Sequence, residues 1–300
     1  MHENKPPLVT NPRDPRFRAL RNLQTSQGRS QTNFYLIEGI RHLARAIEER
    51  APIESVFYDP SVLSNHFGRK LVRRLIASRV PTVRLATHLY RDLTLAAEPQ
   101  GIGAVLRQQF VPMEHFVEIA GKGTSSLVPK RASNHVASAT EGLYLAVESI
   151  DSPGNLGTII RTAEAAGVSG IFLLGSSDDP FHPAAVRASM GSLFSQKLVR
   201  CSPQEFTAWS RAHGVTTVAS SPSGLLDYRA LRAKELALSD RAKRWSRMGP
   251  AAILIGSEKR GLSPDLIESA DFTVRISMRG HCDSLNVAVA AGVLLFEMTS

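Results

Sequence analysis

Hydrophobic positions in the first 110 residues alternate between helical and strand spacing. Phe17, Leu20 and Leu23 recur at helical intervals and predict one basic helix over residues 13–30. Apolar runs then predict strands at 34–39, 53–60, 81–87 and 101–110, separated by helical patterns at 40–50, 71–79 and 88–96. This alternation is typical of a small α/β domain.

Residues 111–140 break this pattern. The stretch GKGTSSLVPKRASNHVASAT is rich in Gly and Ser and has little periodicity. Because a structureless loop of that length is uncommon inside one compact domain, the sequence predicts a linker. The predicted organisation is a basic N-terminal extension at 1–33, a small domain at 34–110, a linker at 111–140 and a second domain at 141–300.

The second domain alternates again. Its predicted strands are 143–150, 170–175, 196–201, 215–220, 251–256 and 272–277, and its predicted helices are 155–167, 182–194, 204–214, 264–270 and 285–298. Strands such as AAILIG (251–256) are apolar throughout, which suits a parallel sheet buried on both faces. In such a sheet the loops at the carboxyl ends of the strands gather at one edge, where ligands bind.

Charge adds a candidate partner. The chain has 36 Lys and Arg against 27 Asp and Glu, a net charge of +9. Basic residues are concentrated in the N-terminal extension and at RKLVRR (69–74) and RAKRWSR (241–247). A basic surface attracts phosphate polyanions such as RNA, although charge alone also fits a generally basic protein.

Other classes of function lack their sequence signatures. No apolar run reaches the ~18 residues of a membrane span, and the N-terminus has no apolar signal-peptide core. Cys201 and Cys282 are the only cysteines, too few for a disulfide framework or a cysteine zinc cluster. No spacing of metal ligands stands out, so we expect no bound metal. The features above together lead us to expect a cytoplasmic protein that does not bind a membrane.

Nucleotide-binding motifs also fail. No G-x-G-x-x-G follows a predicted strand. The stretch GSEKRGLS (256–263) follows an apolar strand and approaches the P-loop pattern, but Leu262 stands where the phosphate-binding lysine belongs. The sequence therefore argues against a nucleotide-binding enzyme.

Three loops share one design, in which a strand leads into a Gly- and Ser-bearing loop that begins a helix. They are SPGNLGTIIRTAEAAG (152–167), ILIGSEKRGLSPDL (253–266) and ISMRGHCDSLNVAVAAGVLLFEM (276–298). Asn155 and Arg161 lie roughly on one helix face and can reach one pocket. Asn155 or Ser284 alone also fits a helix cap, and Glu258 alone fits an exposed turn. Their recurrence in three loops favours a shared site.

These blocks resemble the SpoU (TrmH-type) RNA ribose 2′-O-methyltransferases of the SPOUT superfamily. The matching segments are 153–168, 254–263 and 276–297, and VRASMGSLF (186–194) between them also fits. FYLIEGIRHLARAI (34–47) resembles, less sharply, the start of a substrate-binding domain related to ribosomal protein L30e. Ser277 and Ser257 depart from the usual family residues, but neither position is reactive.

The resemblance implies an α/β fold with two parts. A C-terminal SPOUT domain would carry a parallel sheet and a C-terminal trefoil knot, and a small L30e-like α/β domain that binds RNA would precede it. The cofactor would be S-adenosylmethionine, bent in the knot and held mainly by main-chain groups. The residues implied in its binding are Ser220, Gly256, Ser257, Ile276, Met278 and Leu285. The resemblance also implies a homodimer.

The implied catalytic residues are Asn155, Arg161, Glu258, Ser284 and Asn286. The family's proposed base is the arginine at position 161, but a free arginine stays protonated. We therefore expect Arg161 to grip an RNA phosphate and orient the ribose hydroxyl. Asn155, Ser284 and Asn286 would fix the ribose and Arg161, and Glu258 would orient a partner such as Arg161.

The expected substrate is structured RNA, first 23S rRNA and second tRNA. We expect Arg18, Arg21, Arg41 and Arg187 to contact it. A non-catalytic RNA-binding relative is the other class of function, and the presence of all five implied catalytic residues argues against it.

Overall fold

The computed structural model describes residues 6–114, 142–175, 179–231 and 249–299. These residues form two compact units. One unit contains the chain up to Gln109 together with Asp179–Ser195, and the other contains the remaining described residues. Most of the predicted linker, and the basic segment 241–247, lie outside the described residues.

The first unit is a five-stranded sheet with helices. Its elements in chain order are β1 (Leu8–Val9), α1 (Pro15–Asn22), α2 (Ser26–Thr32), β2 (Phe34–Glu38), α3 (Ile40–Glu48), β3 (Ile53–Tyr58), α4 (His66–Ala77), β4 (Thr82–Leu85), α5 (Thr87–Leu93) and β5 (Ile102–Arg107). The strand order is β1-β4-β3-β5-β2. Strands β1, β4 and β3 are parallel, and β5 is antiparallel to both β3 and β2.

The prediction of one helix over 13–30 is wrong, because the chain turns between α1 and α2. The Thr25 hydroxyl accepts a hydrogen bond from the Gly28 amide at 3.0 Å and caps the second helix. A Cβ atom on Gly28 would lie only 2.0 Å from the Asn22 carbonyl oxygen, so the turn requires glycine there. Leu23 is the last apolar residue before Phe34, so periodicity gave no signal on whether the helix continues through residues 24–30.

The second unit is a seven-stranded parallel sheet. In chain order the elements from residue 143 onward are β6 (Leu143–Glu148), α6 (Pro153–Ala165), β7 (Gly170–Leu174), α7 (Pro183–Ser189), β8 (Leu198–Cys201), α8 (Pro203–Ala212), β9 (Thr216–Ser220), β10 (Leu226–Asp227), β11 (Ala251–Ile255), α9 (Pro264–Ser269), β12 (Phe272–Arg275) and α10 (Val287–Thr299). Of these, α7 belongs to the first unit. The strand order is β10-β12-β9-β11-β6-β7-β8, with every pairing parallel.

The segment 179–195 belongs to the first unit, although the sequence places it inside the second predicted domain. Arg29, only 2% exposed, donates to Asp179 Oδ2 at 2.6 Å. Phe181 packs against Tyr35 with 4.7 Å between ring centroids. A partly buried ion pair and an aromatic contact thus attach the segment to residues about 150 positions earlier.

The predicted helix 182–194 is also interrupted. Helix α7 ends at Ser189, and a short 3-10 turn covers Ser192–Phe194. Between them Met190 and Gly191 adopt φ values of 53° and 98°. Left-handed backbone cannot continue a right-handed helix, so the chain changes direction here.

The parallel sheet is buried on both faces, as its apolar strands predict. All five residues of β7 and all five of β11 are buried. Phe172, Phe206 and Trp209 form the centre of the core on one face. Helix α10 packs against α6, where a Cβ on Gly292 would contact Thr162 Cγ2 at 3.5 Å.

Within the described ranges, no helix is long and apolar enough to cross a membrane. The same residues contain no group of three or more His, Cys, Asp or Glu side chains that could hold a metal ion.

Candidate active site

The three loops singled out in the sequence lie at one edge of the second sheet. Strands β9, β11 and β6 are neighbours and parallel, and β12 lies beside β9. Their carboxyl ends therefore face the same way, and the loops after them meet there. This edge is where ligands bind in open parallel sheets.

The loop after β11 folds back on itself. Ser257 and Gly261 exchange two backbone hydrogen bonds of 3.2 and 2.9 Å. A Cβ on Gly256 would lie 2.1 Å from the carbonyl carbon of Gly261, so only glycine fits at this position. The Glu148 carboxylate accepts a hydrogen bond from the Ser263 amide at 2.7 Å and holds the far end of the loop against β6.

Glu258 projects from this turn toward α6. Its Oε1 atom accepts a hydrogen bond from Asn155 Nδ2 at 2.5 Å, and its Oε2 atom accepts one from the Asp151 backbone amide at 3.2 Å. The partner of Glu258 is therefore Asn155, and the expected contact between Glu258 and Arg161 does not form among the described residues. Asn155 lies inside the first turn of α6, so it is not the N-cap.

Asn286 connects the third loop to the other two. Its Oδ1 atom accepts from the Ala288 amide at 2.9 Å and caps α10. Its Nδ2 atom donates to Asn155 Oδ1 at 3.2 Å. Asn286 rather than Ser284 is therefore the capping residue of the final helix. The chain Asn286–Asn155–Glu258, called the polar relay below, joins all three loops.

Arg161 and Ser284 lie outside this relay. Both side chains are exposed, and neither forms a hydrogen bond or an ion pair with another described residue. Arg161 lies on α6, six residues beyond Asn155, and Ser284 borders the cleft described next. Both groups are therefore available to an incoming molecule.

A cleft of about 340 Å³ opens beside the relay. Its lining includes every residue for which the resemblance implies cofactor contact: Ser220, Gly256, Ser257, Ile276, Met278 and Leu285. Asp283 and Leu262 also border the cleft, although neither was predicted to line it. Its volume lies at the small end of the range for ligand pockets, roughly 300–1,000 Å³.

The cleft suits S-adenosylmethionine in shape and chemistry. Residues 278–285 form no backbone-to-backbone hydrogen bond with the described residues, so their amides and carbonyls are available to a ligand. Leu262, Ile276 and Val287 give an apolar surface for a flat ring. The Asp283 and Glu258 carboxylates border the same cleft and complement a sulfonium cation.

Asp227 supports the loop after β12, a role that was not predicted from the sequence. Ser277 Oγ donates to Asp227 Oδ2 at 2.6 Å. This hydrogen bond, more than any other interaction, lowers the pKa of the Asp227 carboxyl. Asp227 precedes a segment without periodicity, so no local pattern indicated its partner.

The expected substrate-binding arginines separate into two pairs. Arg18 and Arg21 are exposed on α1. Arg41 and Arg187 line a cleft of about 330 Å³ in the first unit. Although they lie far apart in the sequence, the packing of α7 on this unit brings these two together.

Comparison with known proteins matches both parts of the chain. Residues 142–296 match the SpoU rRNA Methylase family, and residues 14–104 match the MRM3-like substrate binding domain. The chain is 29% identical over 271 residues to the 23S rRNA (uridine(2479)-2′-O)-methyltransferase of Streptomyces viridochromogenes, which covers 90% of this chain and 83% of that protein. Over 278 residues it is 25% identical to the 23S rRNA (guanosine(2553)-2′-O)-methyltransferase RlmP of Bacillus subtilis, with 92% of each covered.

A solved structure agrees over nearly the whole length. The AdoMet-bound rRNA methyltransferase from Sinorhizobium meliloti is 29% identical, with a TM-score of 0.76 and 97% of both chains covered. The resemblance read from the three loops is thus confirmed by a family match over more than half of the chain. The chain belongs to the SpoU rRNA Methylase family.

Proposed function

We propose that this protein transfers a methyl group from S-adenosylmethionine to a ribose 2′-hydroxyl of RNA, with 23S rRNA as the substrate. The observation that carries the proposal is the polar relay, which links the three family loops at the border of one cleft. Both named relatives methylate 23S rRNA at the 2′-oxygen. The alternative substrate is tRNA, on which the same chemistry would operate.

The cleft beside the relay would hold the cofactor, which when bound supplies an electrophilic methyl group on its sulfonium. Backbone groups near Gly256, Ile276 and Leu285 would bind it. This is supported by residues 278–285, whose amides and carbonyls form no backbone-to-backbone hydrogen bond with the described residues. Ser220, Ser257 and Met278 complete the lining. Gly256 allows the cleft wall to pack closely, because a Cβ atom at this position would overlap the backbone of Gly261.

The relay would position the ribose. Glu258 and Asn286 fix the Asn155 amide from both sides, so its orientation is set before RNA arrives. A preorganised polar group loses little freedom on binding and aligns the hydroxyl with the methyl group. Ser284, exposed at the border of the cleft, would donate or accept the further hydrogen bond that the ribose needs.

Arg161 would act as a fixed cation. Its task in this proposal is to bind an RNA phosphate through the planar guanidinium and to orient the adjacent 2′-hydroxyl. Its exposure, and the absence of any partner among the described residues, support this role. Arg18 and Arg21 on α1 would add phosphate contacts farther along the RNA.

The proposal also includes the family's assembly. Helix α10 is apolar on every side, yet Val289 is 52% exposed, which fits a homodimer that covers this side of the helix. After β12 the chain continues into α10, which packs against α6, and the proposal includes the C-terminal trefoil knot that the resemblance implies. Because rRNA is the proposed substrate, the cytoplasm is the proposed location.

Two measurements test the function. Calorimetry should detect S-adenosylmethionine binding and no ATP binding. With a tritium-labelled methyl donor, the enzyme should label an unmodified 23S rRNA transcript, and hydrolysis of the product should yield a 2′-O-methyl nucleoside. Preferential labelling of tRNA would move the proposal to its alternative substrate, and ATP binding without any methyl transfer would overturn it.

A further inference from the structure

The first unit contains a second cleft. None of the three residues of the polar relay lines it. Its walls come from the junction of β2 and α3, the segment between α5 and β5, and α7. Its volume of about 330 Å³ is similar to that of the cleft in the second unit. Leu36, Phe57 and Val186, all buried, form an apolar floor. Arg41 and Arg187 were expected to contact RNA, but that expectation assigns no ligand to the cleft itself.

Two arginines border this cleft. Arg41 is exposed and forms no hydrogen bond or ion pair with the described residues. Arg187 donates from Nη1 to the Leu95 carbonyl oxygen at 2.5 Å, which fixes the guanidinium and leaves its other N–H groups available. A fixed arginine beside a free one is well suited to the phosphates of an RNA backbone.

The opening of the cleft has an apolar edge. Leu95 is 51% exposed and Met190 is 38% exposed, and both border the cleft. Met190 has a φ of 53°, a conformation that costs energy for a residue with a side chain. The chain thus holds a large apolar side chain at the opening, at a position that glycine would occupy with less strain.

A buried polar atom lies in the same wall. His42 borders the cleft, and its Nε2 atom is buried without a hydrogen-bond partner among the described residues. Burial lowers the pKa of this imidazole, so the ring is neutral near pH 7. Glu38, whose carboxylate accepts from the Leu95 amide at 3.2 Å, lies along the same wall. The Glu38 carboxylate can accept a further hydrogen bond from the edge of a nucleobase, while the buried His42 ring forms part of the wall.

We propose that this cleft binds one unstacked nucleotide of the RNA substrate. Its base would lie over the apolar floor between Leu95 and Met190, and its flanking phosphates would contact Arg41 and Arg187. Proteins recognise single-stranded RNA by this combination of apolar contact with a splayed-out base and phosphate contact. The inference rests on the proposed function, because it assumes an RNA substrate.

The arginine contact is tested by affinity at several salt concentrations. An unmodified 23S rRNA transcript is titrated with the parent and with Arg41→Gln. We expect weaker binding and a log K against log[salt] slope reduced by about 1, since one phosphate contact is lost. Arg211→Gln makes an equal charge change at an exposed position of α8 in the second unit. Its RNA affinity and salt slope should match those of the parent. Equal losses in both variants would indicate general electrostatics and overturn the contact.

The base contact is tested by Met190→Gly. Glycine suits the left-handed backbone, so the thermal midpoint should be retained while RNA affinity falls roughly tenfold. The salt slope should stay at the parent value, because no charge is removed. Parent affinity in this variant would overturn the placement of the base between Leu95 and Met190.

Cross-linking locates the nucleotide directly. A 23S rRNA transcript that contains 4-thiouridine is irradiated with the parent enzyme, and cross-linked peptides are identified by mass spectrometry. Adducts within 93–100 or 183–190 are expected, and their absence while other peptides are labelled would overturn the site.

If the parent methylates the transcript but the variants bind normally, only this inference fails. If the parent neither binds nor methylates it, both the inference and the proposed function fail.

Discussion

Glu258 Oε1 accepts a hydrogen bond from the Asn155 amide at 2.5 Å, across 103 residues of sequence. Asn155 accepts in turn from Asn286, which caps α10. Three loops that are separate in the sequence are therefore joined by two side-chain hydrogen bonds. Disturbing Asn155 should affect the whole edge of the cleft.

Asn155→Ala removes both hydrogen bonds of the relay. We expect turnover to fall by roughly 10²–10³, the scale of losing one preorganised polar group, while S-adenosylmethionine affinity changes little. Single-turnover methylation and calorimetry measure the two quantities. Glu258→Gln should lower turnover less, and the double variant should resemble Asn155→Ala because the groups act together. Fully additive losses would show that the relay is not a unit.

Arg161→Ala removes the free cation on α6. Methyl transfer should fall by orders of magnitude while cofactor affinity is kept, because the guanidinium is proposed to contact RNA rather than the cofactor. Arg161→Lys should recover part of the rate, since it restores the charge without the planar fork. Near-normal turnover of the alanine variant would exclude the role. A pH dependence of methyl transfer that is present in the parent enzyme and absent in the Arg161→Lys variant would instead support a role as a base.

Gly256→Ala places a methyl group 2.1 Å from the Gly261 carbonyl carbon. Because that atom belongs to the backbone, the turn must shift, and both the thermal midpoint and the cofactor affinity should fall. Gly249→Ala is the matched control, since a Cβ there would meet no atom of the described residues within 4 Å. Equal behaviour of the two variants would contradict the tight turn.

Arg29→Met should destabilise the first unit strongly. Arg29 is 2% exposed and donates to Asp179, and also to the carbonyls of Leu23 and Gln24. Asp179 is 29% exposed, but the buried guanidinium also satisfies two carbonyls, so its loss should cost about 2 kcal/mol or more. Arg16→Met breaks an ion pair whose side chains are 44% and 20% exposed, and should destabilise the protein much less. Urea unfolding of both variants gives the comparison.

His42 should make stability depend on pH. Burial lowers the pKa of its imidazole below the ordinary value of 6.5, although interactions with the backbone of Glu38, Val186 and Arg187 partly oppose this shift. The unfolded chain then binds the proton more readily, so stability is complete above about pH 6.5 and declines as pH falls below it. His182, whose pKa burial also lowers, adds to the same decline. His42→Gln should reduce the loss in urea midpoint between pH 7.5 and 5, and an unchanged loss would exclude His42.

Much of the fold could be predicted because its signals are local. Ten of the twelve strands in the described residues and most of the helices follow from apolar spacing, and most of their bounds differ from the structure by one to three residues. The two-residue strands β1 and β10 were not predicted. The parallel sheet followed from strands apolar on both faces. The predicted helix at 13–30 failed because its break depends on Thr25 as a cap and on the tight approach of Gly28 to Asn22.

The sequence by itself determined the order of elements and the residue types in the three loops, because both are written in local periodicity and composition. Only the tertiary structure decided the partners. It paired Glu258 with Asn155 instead of Arg161, made Asn286 the cap of α10, and brought Arg187 beside Arg41. Such contacts join residues a hundred or more positions apart, and they depend on strand order and on the packing of one segment against another. No local spacing encodes that arrangement.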